Sequence, residues 1–87
     1  GHGRATLDSH LALPTVTASA EALETDLVPF RRLADAPMAM TAHILYTAWD
    51  EVLCASLSPR IIGEIIRGSC GFDNLLMSDD LGMHALG

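Results

Sequence analysis

Ser58-Pro59-Arg60-Ile61-Ile62-Gly63-Glu64-Ile65-Ile66-Arg67-Gly68-Ser69-Cys70-Gly71-Phe72-Asp73-Asn74-Leu75-Leu76-Met77-Ser78-Asp79-Asp80 holds one helix and one strand in sequence. Ser58 is suited to cap a helix, and Pro59 falls at the first helical position, where a missing N–H costs nothing. Ile61, Ile62, Ile65 and Ile66 recur at i, i+1, i+4 and i+5, one apolar face of a helix. Gly68 or Gly71 is placed to end it. Asn74 to Ser78 is then a short apolar run stopped by two carboxylates, which reads as a strand buried between layers.

Upstream the pattern repeats. Met38 to Leu45 is short, mostly apolar and preceded by Ala36-Pro37. Met, Ala and Leu favour helix, but the flanking breakers and the helix that follows decide for strand. Before it, Ser19 can cap a helix with Glu21 and Glu24 near its start. Leu23, Leu27, Phe30 and Ala34 form one stripe, and Pro29 suggests two joined pieces, the second capped by Asp26. Residues 1–18 show no sustained period and read as a long loop. The order loop, helix, strand, loop, helix, strand builds parallel α/β sheets.

The 87 residues allow at most one domain. Eleven acidic residues against five Arg and no Lys leave a net charge of −6, which argues against a nucleic-acid partner, since phosphates need clustered cations. Every apolar run is too short to span a bilayer. Gly1-His2-Gly3-Arg4 resembles neither a start nor a signal peptide, so an internal segment is expected. Cys54 and Cys70 lack CxxC or zinc-finger spacing and read as reduced thiols.

In parallel α/β folds the chemistry gathers at the carboxyl ends of the strands. His43 lies late in the first strand, where it could contact a ligand or be a satisfied strand-end histidine; Asp79 and Asp80 follow the second, and His2, Asp8 and His10 fall in the opening loop. In Asp8-Ser9-His10, an extended loop would turn the carboxylate and the imidazole to one side. The carboxylate would then fix the ring tautomer, leaving the other nitrogen to exchange a proton; the competing reading is a turn in which Asp8 caps backbone N–H groups. Adjacent strand residues face opposite ways, so only one of Asp79 and Asp80 serves a given site; Asp79, nearer the strand, is the better candidate, though spacing alone does not choose it. Tyr46 and Trp49 could stack on a ligand or cover the core. His2, Asp8, His10 and His43 could form a mixed metal site, but no ligand spacing supports one. Met83 and His84 read as packing or surface residues. An exposed isoleucine face over residues 61–66 would favour a partner-binding module.

Taken together, Gly1-His2-Gly3, Asp8-Ser9-His10, Asp26-Leu27-Val28-Pro29-Phe30-Arg31, Met40-Thr41-Ala42-His43, Leu57-Ser58-Pro59, Gly71-Phe72-Asp73 and Met77-Ser78-Asp79-Asp80-Leu81-Gly82-Met83 closely resemble glycoside hydrolase family 3, in its bacterial β-N-acetylhexosaminidase branch. The resemblance implies a (β/α)8 TIM barrel. Such a barrel needs about 250 residues, so this chain would be roughly one third of one, an internal segment of the family's N-terminal barrel domain.

The resemblance also implies a retaining exo-β-N-acetylglucosaminidase acting on muropeptides or chitooligosaccharides through a covalent glycosyl-enzyme intermediate, with no cofactor and no metal. Asp79 would be the nucleophile, His10 the acid/base and Asp8 its dyad partner, with His43 and His2 as sugar contacts. The branch is often cytoplasmic and serves cell-wall recycling. The family's Lys-His-Phe-Pro lead-in would precede Gly1; Thr47 and Asn74 stand where proline and glycine are common. The rest of the barrel would be needed for folding, so the isolated chain is expected to be inactive. The alternative is a non-catalytic remnant or interaction module that keeps the motifs.

Overall fold

Strand β2 (Met38–Thr41) runs parallel to β4 (Leu75–Ser78), with Met38 opposite Leu75 and Thr41 opposite Ser78. The computed structural model describes residues 2–82; the expectations for Gly1, Met83 and His84 fall outside them. The remaining elements are β1 (Thr15–Val16), α1 (Ala20–Arg32), β3 (Leu45–Tyr46) and a second helix, α2 (Ile61–Ser69). The chain is mixed helix and strand with parallel pairing, the α/β class expected.

Helix α1 starts as its sequence suggests: the N–H of Ala22 donates to Ser19 Oγ, and that of Leu23 to the Ser19 carbonyl. It does not break into two pieces. Pro29 sits inside the helix, where it removes one backbone bond, and Asp26 pairs with the Arg4 guanidinium instead of capping a new start. Leu23 (1% exposed) and Leu27 are buried on either side of the expected join and hold both halves to one core. Burying a leucine contributes about 1.5–3 kcal/mol, enough to offset much of a proline's cost. Phe30, the next member of the stripe, is 62% exposed.

The opening segment is not wholly loop. Thr15 and Val16 pair in parallel with Leu45 and Tyr46, a two-residue strand too short to show alternation in the sequence. Val16, Leu23 and Ile44 form the core, with Tyr46 and Trp49 packed against it. The two aromatic rings lie 5.1 Å apart, the core-covering role of the two considered.

Helix α2 is capped as expected: the N–H of Ile61 donates to Ser58 Oγ at 3.0 Å. It has a π-helical ladder, seen where the Cys70 N–H donates to the Ile65 carbonyl at 2.8 Å. Gly68 lies within it, and Gly71, at φ +72°, turns the chain out. Ile61 is buried and Ile62, Ile65 and Ile66 are half-buried. Asn74 Nδ2 donates to the Ala36 carbonyl at 2.8 Å, tying the entrance of β4 to that of β2.

The strands were expected to be buried on both faces. Met38, Met40, Leu75 and Met77 share one face, and all four are exposed; among the described residues nothing covers them.

Candidate active site at the strand ends

Past the last ladder residue, the N–H of Asp79 donates to the Thr41 carbonyl at 3.1 Å. This bond carries the β2–β4 pairing one step beyond the strands and fixes the backbone of Asp79 at their carboxyl end. Asp79 Oδ1 accepts from the N–H of Asp80 at 2.8 Å, and Asp80 Oδ1 from the N–H of Gly82 at 2.9 Å. Asp79 is half-buried and Asp80 exposed.

Two residues beyond β2, His43 is wholly buried. Its Nε2 lies 2.8 Å from the Asp80 carbonyl, and its Nδ1 lies 2.8 Å from Ser56 Oγ. A carbonyl only accepts, so Nε2 carries the proton. Ser56 then donates to Nδ1 while accepting from the Thr41 hydroxyl at 2.9 Å. Both ring nitrogens are thus engaged, and neither is left for a sugar hydroxyl. This is the arrangement of a satisfied strand-end histidine.

The opening loop brings His2, Asp8 and His10 together. Gly3, at φ +59°, allows the turn in which the Ala5 N–H donates to the His2 carbonyl. His2 Nε2 lies 2.6 Å from the hydroxyl of buried Ser9. Asp8 Oδ1 accepts twice from one residue, from the His10 N–H at 2.9 Å and from its ring Nδ1–H at 2.8 Å. The Leu11 N–H also donates to the Asp8 carbonyl. The tripeptide is therefore a turn and not extended: a carboxylate this short closes on its own backbone while still reaching the ring.

His10 and Asp8 are exposed, so their interaction is solvent-screened. The hydrogen bond to Asp8, and then its charge, raise the His10 pKa above its ordinary value; the fields of Asp79 and Asp80 add to the rise. The bonds from the His10 backbone and ring hold Asp8 below the usual carboxylate range. No group of three or more metal-ligating side chains occurs among the described residues.

Residues 1–87 match the glycosyl hydrolase family 3 N-terminal domain from end to end. The chain belongs to glycosyl hydrolase family 3. It is 51% identical to a β-hexosaminidase of Alkalilimnicola ehrlichii, over 98% of this chain and 25% of that protein. It is 46% identical to a β-hexosaminidase of Pseudomonas aeruginosa, over 95% and 25%. Among solved structures it superposes on a family 3 β-N-acetylglucosaminidase from Paenibacillus sp. FPU-7 with a TM-score of 0.92 and 41% identity, covering 99% of this chain and 17% of that one. CbsA from Thermotoga neapolitana gives 0.90 and 44%, covering 99% and 21%. The chain spans about a quarter of the length of the curated family 3 relatives it matches. Its architecture is part of the TIM-barrel-type domain of the family. No helix among the described residues is long and apolar enough to cross a membrane.

Sequence reasoning missed the serines. Ser9 and Ser56 each meet an expected site histidine. Ser9 could have been noticed from its place inside Asp-Ser-His; nothing in the sequence singles out Ser56.

Proposed function

We propose that the chain is an internal segment of the barrel domain of a retaining exo-β-N-acetylglucosaminidase that removes terminal N-acetylglucosamine from muropeptides or chitooligosaccharides in the cytoplasm, during cell-wall recycling. The observation that carries the reading is the Asp8–His10 pair, which commits Nδ1 to the carboxylate and leaves Nε2 to exchange a proton. The names of the relatives support the substrate class. The exposed faces of Phe30, Met38 and Met40 are the apolar surfaces that further barrel elements would cover.

In the first step Asp79 attacks the anomeric carbon, the bond to the departing oxygen breaks, and that oxygen takes the proton from His10 Nε2. In the second, Nε2 takes a proton from water as the water oxygen displaces Asp79 from the sugar. An imidazole suits a group that reverses role between steps, because its pKa lies near working pH. Asp8 stabilises the cationic ring and fixes its tautomer. His2, held to Ser9 through Nε2, keeps Nδ1 for a sugar hydroxyl. Asp80 caps the local backbone and is not the nucleophile.

The test is covalent trapping. A longer protein containing this segment, incubated with a fluorinated N-acetylglucosaminide that forms but slowly releases the intermediate, is expected to carry the sugar on Asp79. Turnover with the label on Asp80, or with none trapped, would overturn the assignment.

A further inference from the structure

His43 is wholly buried and bonded at both ring nitrogens, yet none of its partners belongs to the core: Nε2–H donates to the Asp80 carbonyl and Ser56 donates to Nδ1. Behind Ser56 stands the hydroxyl of Thr41, and the Thr41 carbonyl receives the N–H of Asp79. The links close a ring through Asp79, Thr41, Ser56, His43 and Asp80. The Asp80 carbonyl can only accept, so the proton lies on Nε2 and Ser56 donates to Nδ1. A buried histidine of this kind serves by fixing backbone: Asp79 is held on its N–H side by β2 and, through the next residue's carbonyl, by His43.

We propose that His43, oriented by Ser56 and Thr41, is a positioning residue that holds the backbone just beyond Asp79, at the Asp80 carbonyl, and so aims the Asp79 carboxylate, without touching substrate. The proposal rests on Asp79 being the nucleophile. A misplacement of about 1 Å in a reacting group can lower a rate by about 100-fold, so the effect should fall on kcat and leave KM for the sugar unchanged. Glutamine can replace the Nε2 donor, asparagine can replace only the inner nitrogen, and alanine replaces neither.

The experiment compares His43→Gln, His43→Asn, His43→Ala and Ser56→Ala in the longer hydrolase, with an aryl β-N-acetylglucosaminide as substrate and thermal unfolding alongside. His43→Ala and His43→Asn should lose about 10- to 100-fold in kcat, with KM held within about 3-fold. His43→Gln should recover most of that loss, and Ser56→Ala should lie between. A rise in KM at constant kcat would make His43 a sugar contact and overturn the proposal. So would equal kcat for the Gln and Ala variants at equal stability. If the alanine variant does not fold, Gln against Asn decides the question. The imidazole 15N shifts of His43 give a readout free of activity: the Nε2–H tautomer is expected, and the Nδ1–H tautomer would overturn the tether. Should the wild-type protein show no turnover, the enzymatic reading fails by itself, and the shifts still decide whether the tether exists.

Discussion

His10 meets the same oxygen of Asp8 twice, through its backbone N–H at 2.9 Å and its ring Nδ1–H at 2.8 Å. One carboxylate oxygen thereby sets both the turn of the loop and the tautomer of the ring. Replacing Asp8 by Asn keeps an acceptor but removes the charge. The His10 titration, followed by NMR, should lie above 6.5 in the wild type and move down in Asp8→Asn. The raised His10 contributes stability that is fully present below 6.5 and lost as pH rises through its folded value. The lowered Asp8 contributes above 3.8, and its part is lost as pH falls through its folded value. The stability difference between the two proteins should therefore be greatest between 3.8 and 6.5 and shrink with added salt. A difference flat across that range would show that the pair is not coupled.

Asp79 and Asp80 are neighbours with different environments, the first pinned by its N–H to β2 and the second capping Gly82. In the longer protein Asp79→Asn should lower kcat by about 10⁴-fold or more, the scale of losing a nucleophile. Asp80→Asn should cost no more than about 10-fold, the scale of one ordinary hydrogen bond. Steady-state rates with an aryl glycoside measure both; near-equal losses would remove the distinction.

Asp50 holds the loop before α2. Its carboxylate accepts from the hydroxyl of Ser58 and from the N–H groups of Val52 and Leu53, and these bonds, that of Ser58 foremost, lower its pKa to about 2. The contribution to stability is present above 3.8 and lost as pH falls through about 2. A carboxyl-carbon titration should find the midpoint near 2 and find it raised in Ser58→Ala. That variant also loses the cap of α2, at about 1–2 kcal/mol in denaturant unfolding.

Leu23→Ala in the longer protein should cost about 2–5 kcal/mol, because the side chain is fully buried. Phe30 is exposed in this chain, where an isolated surface change would fall within about 0.5 kcal/mol. If further barrel elements cover it, Phe30→Ala should instead cost about 3–5 kcal/mol in the longer protein. Urea unfolding separates the two values, and the smaller one would count against the segment reading.

The 87-residue chain by itself should hydrolyse no aryl N-acetylglucosaminide and should bind a hydrophobic dye or self-associate, since β2 and β4 pair only with each other among the described residues and expose four large apolar side chains. Measurable turnover by purified monomer would refute this.

Much of the fold was legible because its signals are local. Ser19 and Ser58 cap where capping residues should, and the apolar runs hold strands at 38–41 and 75–78, although the first was expected to continue to Leu45, which instead pairs in the other sheet. What was not legible depends on distant partners. Pro29 and Asp26 argued for a break that Leu23 and Leu27 override from the core. The pairing of Thr15–Val16 leaves no period to detect. At the site, Asp8 and His10 were found because two residues of sequence bring them together. The link from Ser56 through His43 to Asp80 joins segments far apart in the chain, and its polar members carry no pattern. His43 was accordingly noticed, but which groups would satisfy its ring was not legible.

Met38 faces Leu75, Thr41 faces Ser78, and His43 meets Asp80, all at one constant offset of 37 residues. The strand register thus acts as a ruler that runs on past the ladder into the site. An added residue in the loops flanking α2 would leave this ruler intact, since only the path between its two scales lengthens. One added between Thr41 and His43, or between Ser78 and Asp80, would slide one scale against the other and turn alternate side chains to the wrong face. For insertions and deletions, then, these two short junctions should be far less forgiving than the much longer crossover between them.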